Sequence, residues 1–213
     1  PYGTNAAQFG TLYDQLVATT ALIVGLGDPS SHVVRMVLMF SPAVIGAAVV
    51  VPVYYLGKRV GNRVGGVIAS LIVALAAGKF LQRSLVGFGD HHVAEVFFQA
   101  TAVLGILVAL RVAQREKPVY ELFVDRDWQA LRRPLGWGVV AGIGLALYLA
   151  VWPPGILLVG ILGVYVTLQL PIAHLRGESP EHLGIVTAVI FPVTGTLSLA
   201  SIDTMGLNMV KHS

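Results

Sequence analysis

The chain has 213 residues, 55% of them hydrophobic and only 12% charged, with a formal net charge of +3 and no cysteine. Too few charges remain to cover the surface of a water-soluble domain of this size, so composition points to a polytopic membrane protein and excludes a disulfide scaffold or thiol chemistry. The small positive balance lacks the basic stripe with interleaved aromatics that a nucleic-acid surface needs, and no nucleic-acid partner is expected.

In chain order, residues 1–31 read as the end of an outer loop. The apolar part, Leu16–Leu26, is too short to span and is bordered by Asp14 and Asp28, which predicts an interfacial or re-entrant helix. Asp28-Pro29-Ser30-Ser31 reads as a turn or helix cap. Residues 32–201 read as a transmembrane bundle of about six spans: Val33–Leu56, Val64–Phe80, Val93–Val112, Leu135–Trp152, Gly155–Ala173 and Leu183–Ala200. Each is close to the roughly 20 apolar residues that a hydrocarbon core about 30 Å thick requires. Residues 202–213 read as a further outer segment. The chain lacks a signal-peptide pattern and does not begin with Met, so it reads as a piece of a longer polypeptide.

Basic residues set the orientation. Lys58, Arg59 and Arg63 share one loop, Arg111, Arg115, Lys117, Arg126, Arg132 and Arg133 flank or occupy the next on that face, and Arg176 sits in a third. These loops are expected inside. The inner loop Ala113–Arg133 also carries acids and aromatics and predicts a short amphipathic surface helix. Trp152-Pro153-Pro154-Gly155 predicts a tight outer turn with an interfacial Trp.

The stretch Arg83-Ser84-Leu85-Val86-Gly87-Phe88-Gly89-Asp90-His91-His92-Val93-Ala94-Glu95 stands apart. It places a cation, a carboxylate and two imidazoles between apolar runs, at the expected outer face, where ionisable groups are costly and usually functional. Asp90 and His92 could close on one hard or borderline divalent ion from an extended turn or helix start. His92 and Glu95 would share a face if a helix begins there. A polar loop in which Asp90 merely caps the next helix is the alternative.

With its spacing, Arg83-Ser84-x-x-Gly87-x-x-Asp90-His91-His92 resembles the second acidic motif of oligosaccharyltransferase catalytic subunits in its archaeal Asp-His-His form. Pro1-Tyr2-Gly3-Thr4, Gln8-Phe9-Gly10 and Leu12-Tyr13-Asp14 resemble the latter part of that family's first outer loop, and Trp152-Pro153-Pro154-Gly155 resembles its later Trp-and-Gly turn. The resemblance implies an all-α membrane bundle, part of a C-type glycosyltransferase fold, in the cell membrane with its active site on the outer face. It implies transfer of a lipid-linked oligosaccharide from a dolichyl phosphate carrier to Asn of Asn-x-Ser/Thr in an acceptor polypeptide. Asp90 and His92 match the family's metal-binding positions, for Mn or Mg, with Zn also suited. Arg83 matches a basic residue important for activity, and His91 and Trp152 match positions lining the lipid-linked donor. The family's first catalytic Asp, a later-loop Glu and a Trp-Trp-Asp motif find no match in this chain, so this fragment alone is expected to be inactive.

The rival class is a multi-span transporter or channel using Arg83, Asp90, His91 and His92 as an outer relay. The span centres are nearly free of charge and show no matched half, which disfavours it. An intramembrane hydrolase is disfavoured because neither His-Glu-x-x-His nor Gly-x-Ser-Gly is present.

Overall fold

The structure, a computed structural model, describes residues 11–75, 77–115, 121, 124, 126 and 128–205. Among these the fold is all-α, with helices α1 (Leu12–Val24), α2 (Ser31–Ala48), α3 (Val50–Val60), α4 (Arg63–Leu75), α5 (Lys79–Arg83), α6 (His92–Arg115), α7 (Trp128–Val151), α8 (Ile156–Leu175) and α9 (Glu181–Met205). The chain forms two compact units: one comprises α1–α5, the start of α6 and Ala150–Trp152, and the other comprises the rest of α6 with α7–α9.

Among the described residues, five stretches are long and apolar enough to cross a membrane: Ser31–Val60, His92–Gln114, Trp128–Val151, Pro153–Leu175 and Glu181–Ala200. They cover five of the six predicted spans. The exception is Val64–Phe80. Its helix is Arg63–Leu75, and a turn at Ala77-Gly78 separates it from α5. Thirteen helical residues reach only about 20 Å, short of the hydrocarbon thickness, and the hydropathy of the run gives no sign of the turn at Ala77-Gly78. The first predicted span is also not one uninterrupted helix: it pauses at Val49 between α2 and α3. Pro52 lacks the N–H that would pair with the Ala48 carbonyl, which accounts for the interruption.

In the first unit, α1 buries Tyr13, Val17 and Ala21 on one face, at the i, i+4, i+8 spacing of a helix, and leaves Leu22, Ile23 and Val24 exposed. It is the short helix predicted for this region. Its end turns through Leu26 and Gly27, both at positive φ. The cap that follows is Ser30, whose Oγ accepts from the Val33 N–H at 3.4 Å, and not Asp28. Helices α3 and α4 form a hairpin. Asn62 Oδ1 caps α4 by accepting from the Val64 and Gly65 N–H groups at 2.9 and 3.1 Å. The two helices meet backbone to backbone: a Cβ on Gly66 would lie 2.8 Å from the Tyr54 carbonyl oxygen, and one on Gly57 would lie 2.7 Å from that of Gly65.

In the second unit, small residues again set the spacing. Gly105 rests on Ala141, Gly144 on Ala102, and Gly138 and Gly142 on Val189 and Val193. Buried Thr194 donates to the Gly142 carbonyl at 3.1 Å, so its hydroxyl is satisfied between α7 and α9. His182 Nε2 lies 3.1 Å from the Gln114 amide nitrogen. Most of the predicted amphipathic inner-loop helix (residues 116–120, 122, 123, 125 and 127), residues 1–10 and residues 206–213 lie outside the described residues.

Candidate functional site

The polar motif folds as α5, a glycine-bearing loop and the first turn of α6. The loop is fastened to α2: the Gly87 N–H donates to the Met39 carbonyl at 2.8 Å, and Gly89 lies against Leu38. Gly87 sits at φ +94°, a conformation that glycine adopts without strain. On α2, Gly46 has no room for a side chain, since a Cβ there would lie 2.6 Å from Ser84 Cβ. The motif glycines and the Gly46 notch therefore bring Arg83 and Asp90 back to one place.

Asp90 does not cap α6. Its own N–H bonds to the Phe88 carbonyl at 2.7 Å, and helical bonding begins with the Glu95 N–H donating to the His91 carbonyl at 2.9 Å. The Asp90 carboxylate instead meets three side chains. Arg83 Nη1 is 3.8 Å from Oδ2, His91 Nδ1 is 3.0 Å from Oδ1, and His92 Nε2 is 3.6 Å from Oδ2. The two imidazoles lie face to face, tilted by 30° with centroids 4.4 Å apart. His92 Nδ1 lies 3.1 Å from Glu95 Oε2, the i, i+3 pairing that the sequence predicts for a helix starting here. All of these groups are half-buried, open enough for a ligand to reach.

Asp90, His91 and His92 each offer a ligand atom within 4.8 Å of the others, the one such triad among the described residues. Metal–ligand bonds of about 2.1 Å leave donor atoms about 3–4 Å apart around a single ion. The 3.6 Å between Asp90 Oδ2 and His92 Nε2 fits that spacing and is too long for a hydrogen bond. Two carboxylates against one guanidinium also leave the cluster net negative when its imidazoles are neutral. The donor set therefore suits a divalent cation, and it includes His91, which the family resemblance matches only to a donor-lining position.

Below this cluster lies an apolar base. Trp152 packs against buried Tyr13, Val17, Ala94 and Val151, which brings its ring beside the first turn of α6. The turn itself is a single 3-10 turn over Pro153–Gly155. Tyr13 shares a 2.8 Å hydrogen bond with Ser41 Oγ. Burial pushes the Tyr13 phenol above its ordinary range, the Ser41 bond draws it down, and the charges of Asp14 and Asp90 push it further up. The phenol therefore stays neutral beside the cluster. No local pattern in the sequence signals this pair, because its members lie 28 residues apart.

The family model for the N-terminal part of oligosaccharyl transferase STT3 matches residues 1–213, the entire chain. The chain belongs to the STT3 oligosaccharyl transferase family. Among curated STT3 relatives, the dolichyl-monophosphooligosaccharide–protein glycotransferase AglB of Haloferax volcanii is 53% identical over 209 residues, covering 98% of this chain and 20% of that protein. The archaeal oligosaccharyltransferase AglB of Archaeoglobus fulgidus, solved with an inhibitory peptide and a dolichol-phosphate, superposes with a TM-score of 0.77 at 29% identity, covering 91% of this chain and 21% of that one. An Archaeoglobus fulgidus oligosaccharyltransferase solved with Zn and sulfate gives a TM-score of 0.75 at 31% identity over 91% of this chain and 23% of that one. The chain spans about a fifth of the length of these STT3 relatives.

Proposed function

We propose that this chain is the metal-binding membrane portion of an oligosaccharyltransferase. In the full-length protein it transfers an oligosaccharide from a dolichyl phosphate carrier to Asn of Asn-x-Ser/Thr at the outer face of the cell membrane. The observation that carries this reading is the convergence of Arg83, Asp90, His91 and His92 at the head of α6. The dolichol-phosphate and peptide bound by the Archaeoglobus relative agree with it, as does the Zn in another structure of that kind.

Asp90 and His92 would hold the divalent ion, Mn or Mg by the carboxylate's preference and Zn by the imidazole's, and His91 stands close enough to add a donor or to meet the lipid-linked oligosaccharide. When bound, the ion supplies positive charge that stabilises the departing lipid phosphate. The chain's own groups prepare that event. Arg83 places a fixed cation beside Asp90 and holds its carboxylate toward the imidazoles. Trp152, seated on the Tyr13–Ala94–Val151 base, would offer an aromatic face to the donor.

The test is glycosylation of an Asn-x-Thr peptide by the full-length protein, supplied with dolichyl-linked oligosaccharide. Activity should vanish with chelator and return on adding Mn or Mg. Undiminished transfer after exhaustive chelation would contradict the metal role, and uptake of ions or solutes by sealed vesicles without any transfer would favour the relay.

A further inference from the structure

Glu95 is the least exposed charged group of the cluster, at 17% of its free side-chain surface, and neither Arg83 nor Asp90 is paired with it. Its partner is His92, through Nδ1 at 3.1 Å. An ionised carboxylate only accepts hydrogen bonds, so the proton of this pair resides on Nδ1 and the lone pair of the imidazole on Nε2. That nitrogen is the one facing Asp90 Oδ2. The spacing is fixed by the backbone, because helical bonding is already established where the Glu95 N–H meets the His91 carbonyl.

We propose that Glu95 is a positioning residue of the metal centre: by accepting the Nδ1 proton of His92, it holds the ring in the tautomer and orientation that present Nε2 to an ion bound at Asp90. The inference rests on the metal reading above. Its general logic is that of a carboxylate behind a metal-bound histidine, where loss of the outer partner typically costs about 10- to 100-fold in metal affinity. Two other roles for Glu95 do not pass through His92. It could stabilise the start of α6 by opposing the helix dipole, or attract a cation by charge alone. Both depend on the carboxylate's charge, so both predict that Glu95→Gln behaves like Glu95→Ala. The positioning role predicts that Gln, whose amide oxygen can still accept from Nδ1, recovers part of the loss.

The experiment is titration of the full-length protein with Mn²⁺, read by electron paramagnetic resonance of the free ion, with thermal unfolding as the check on folding. Glu95→Ala should weaken Mn²⁺ binding by about 10- to 100-fold, Glu95→Gln should fall between it and the parent, and Glu95→Ala should add less than about twofold once His92 is already Ala. Unchanged affinity in Glu95→Ala, equal losses in Ala and Gln, or an undiminished loss in the His92→Ala background would overturn the proposal. If Glu95→Ala fails to fold, Glu95→Gln carries the test in the same two backgrounds. Asp90→Asn is the control that separates the two ideas: if it leaves Mn²⁺ binding intact, the metal site itself is misplaced and Glu95 has nothing to position.

Discussion

Arg83→Gln in the full-length protein removes a guanidinium whose Nη1 lies 3.8 Å from Asp90 Oδ2. Both side chains are more than a quarter exposed, so their mutual attraction contributes no more than about 1 kcal/mol to the fold. The larger effect falls on a divalent ion held by Asp90. With a metal–oxygen bond of about 2.1 Å, the guanidinium and the ion can stand at most about 6 Å apart. A single and a double charge at that separation repel by about 1.4 kcal/mol in water. Salt at physiological strength, with a Debye length of about 8 Å, reduces this to about 0.7 kcal/mol. Removing Arg83 should therefore tighten Mn²⁺ binding by about three- to tenfold, while glycosyl transfer at saturating Mn²⁺ falls because Asp90 loses its fixed partner. Mn²⁺ titration and the peptide glycosylation assay on the same preparation read both quantities. Weaker Mn²⁺ binding in the variant would refute this reasoning.

Single cysteines placed in this Cys-free chain should react with an impermeant reagent from outside at position 90 and only after permeabilisation at positions 58, 126 and 176, as the basic loops dictate. Gly46→Ala should gain about 1 kcal/mol of helix propensity but lose about 1–3 kcal/mol to overpacking, since its new Cβ meets Ser84 at 2.6 Å. Thermal unfolding should show no net gain, and transfer should drop as Arg83 shifts. Higher thermal stability with full activity would show that the α5 segment yields freely. Tyr13→Phe should cost only about 0.5 kcal/mol, the low end for a lost hydrogen bond, because Ser41 already donates to the Leu38 carbonyl at 3.1 Å. In ultraviolet titration the same variant should lose a phenolate signal that appears above the ordinary tyrosine range of about pH 10, in line with the burial of Tyr13; loss of a signal at or below that range would contradict the burial assignment.

Much of the fold was legible because membrane helices advertise themselves by composition. Four of the five long apolar helices fall within a few residues of their predicted ends, and the fifth, α7, begins seven residues early at Trp128 and takes Arg132 and Arg133 into the helix. The hydropathy of Val64–Phe80 gave no warning of the turn at Ala77-Gly78, because an apolar run scores alike whether or not the backbone continues as a helix. The Asp90–His92 pair and the His92–Glu95 contact were readable from spacing, since a helix start fixes which neighbours share a face. His91's entry into the triad, the Gly87–Met39 tether and the Tyr13–Ser41 bond were not. The tether and the Tyr13–Ser41 bond join segments far apart in sequence, and the place of His91 depends on the side-chain directions at the start of α6, none of which a local sequence pattern specifies.

The central claim is that Asp90 and His92 hold the ion required for glycosyl transfer. The most direct measurement is the Mn²⁺ dependence of Asn-x-Thr peptide glycosylation by the full-length protein, with Asp90→Asn and His92→Ala set against the parent. Losing one ligand of a catalytic ion removes charge stabilisation that acts chiefly in the transition state. Each variant should need at least about tenfold more Mn²⁺ for half-maximal activity and should transfer more slowly even at saturation, with thermal unfolding unchanged. Full activity of both variants at limiting Mn²⁺ would contradict the claim.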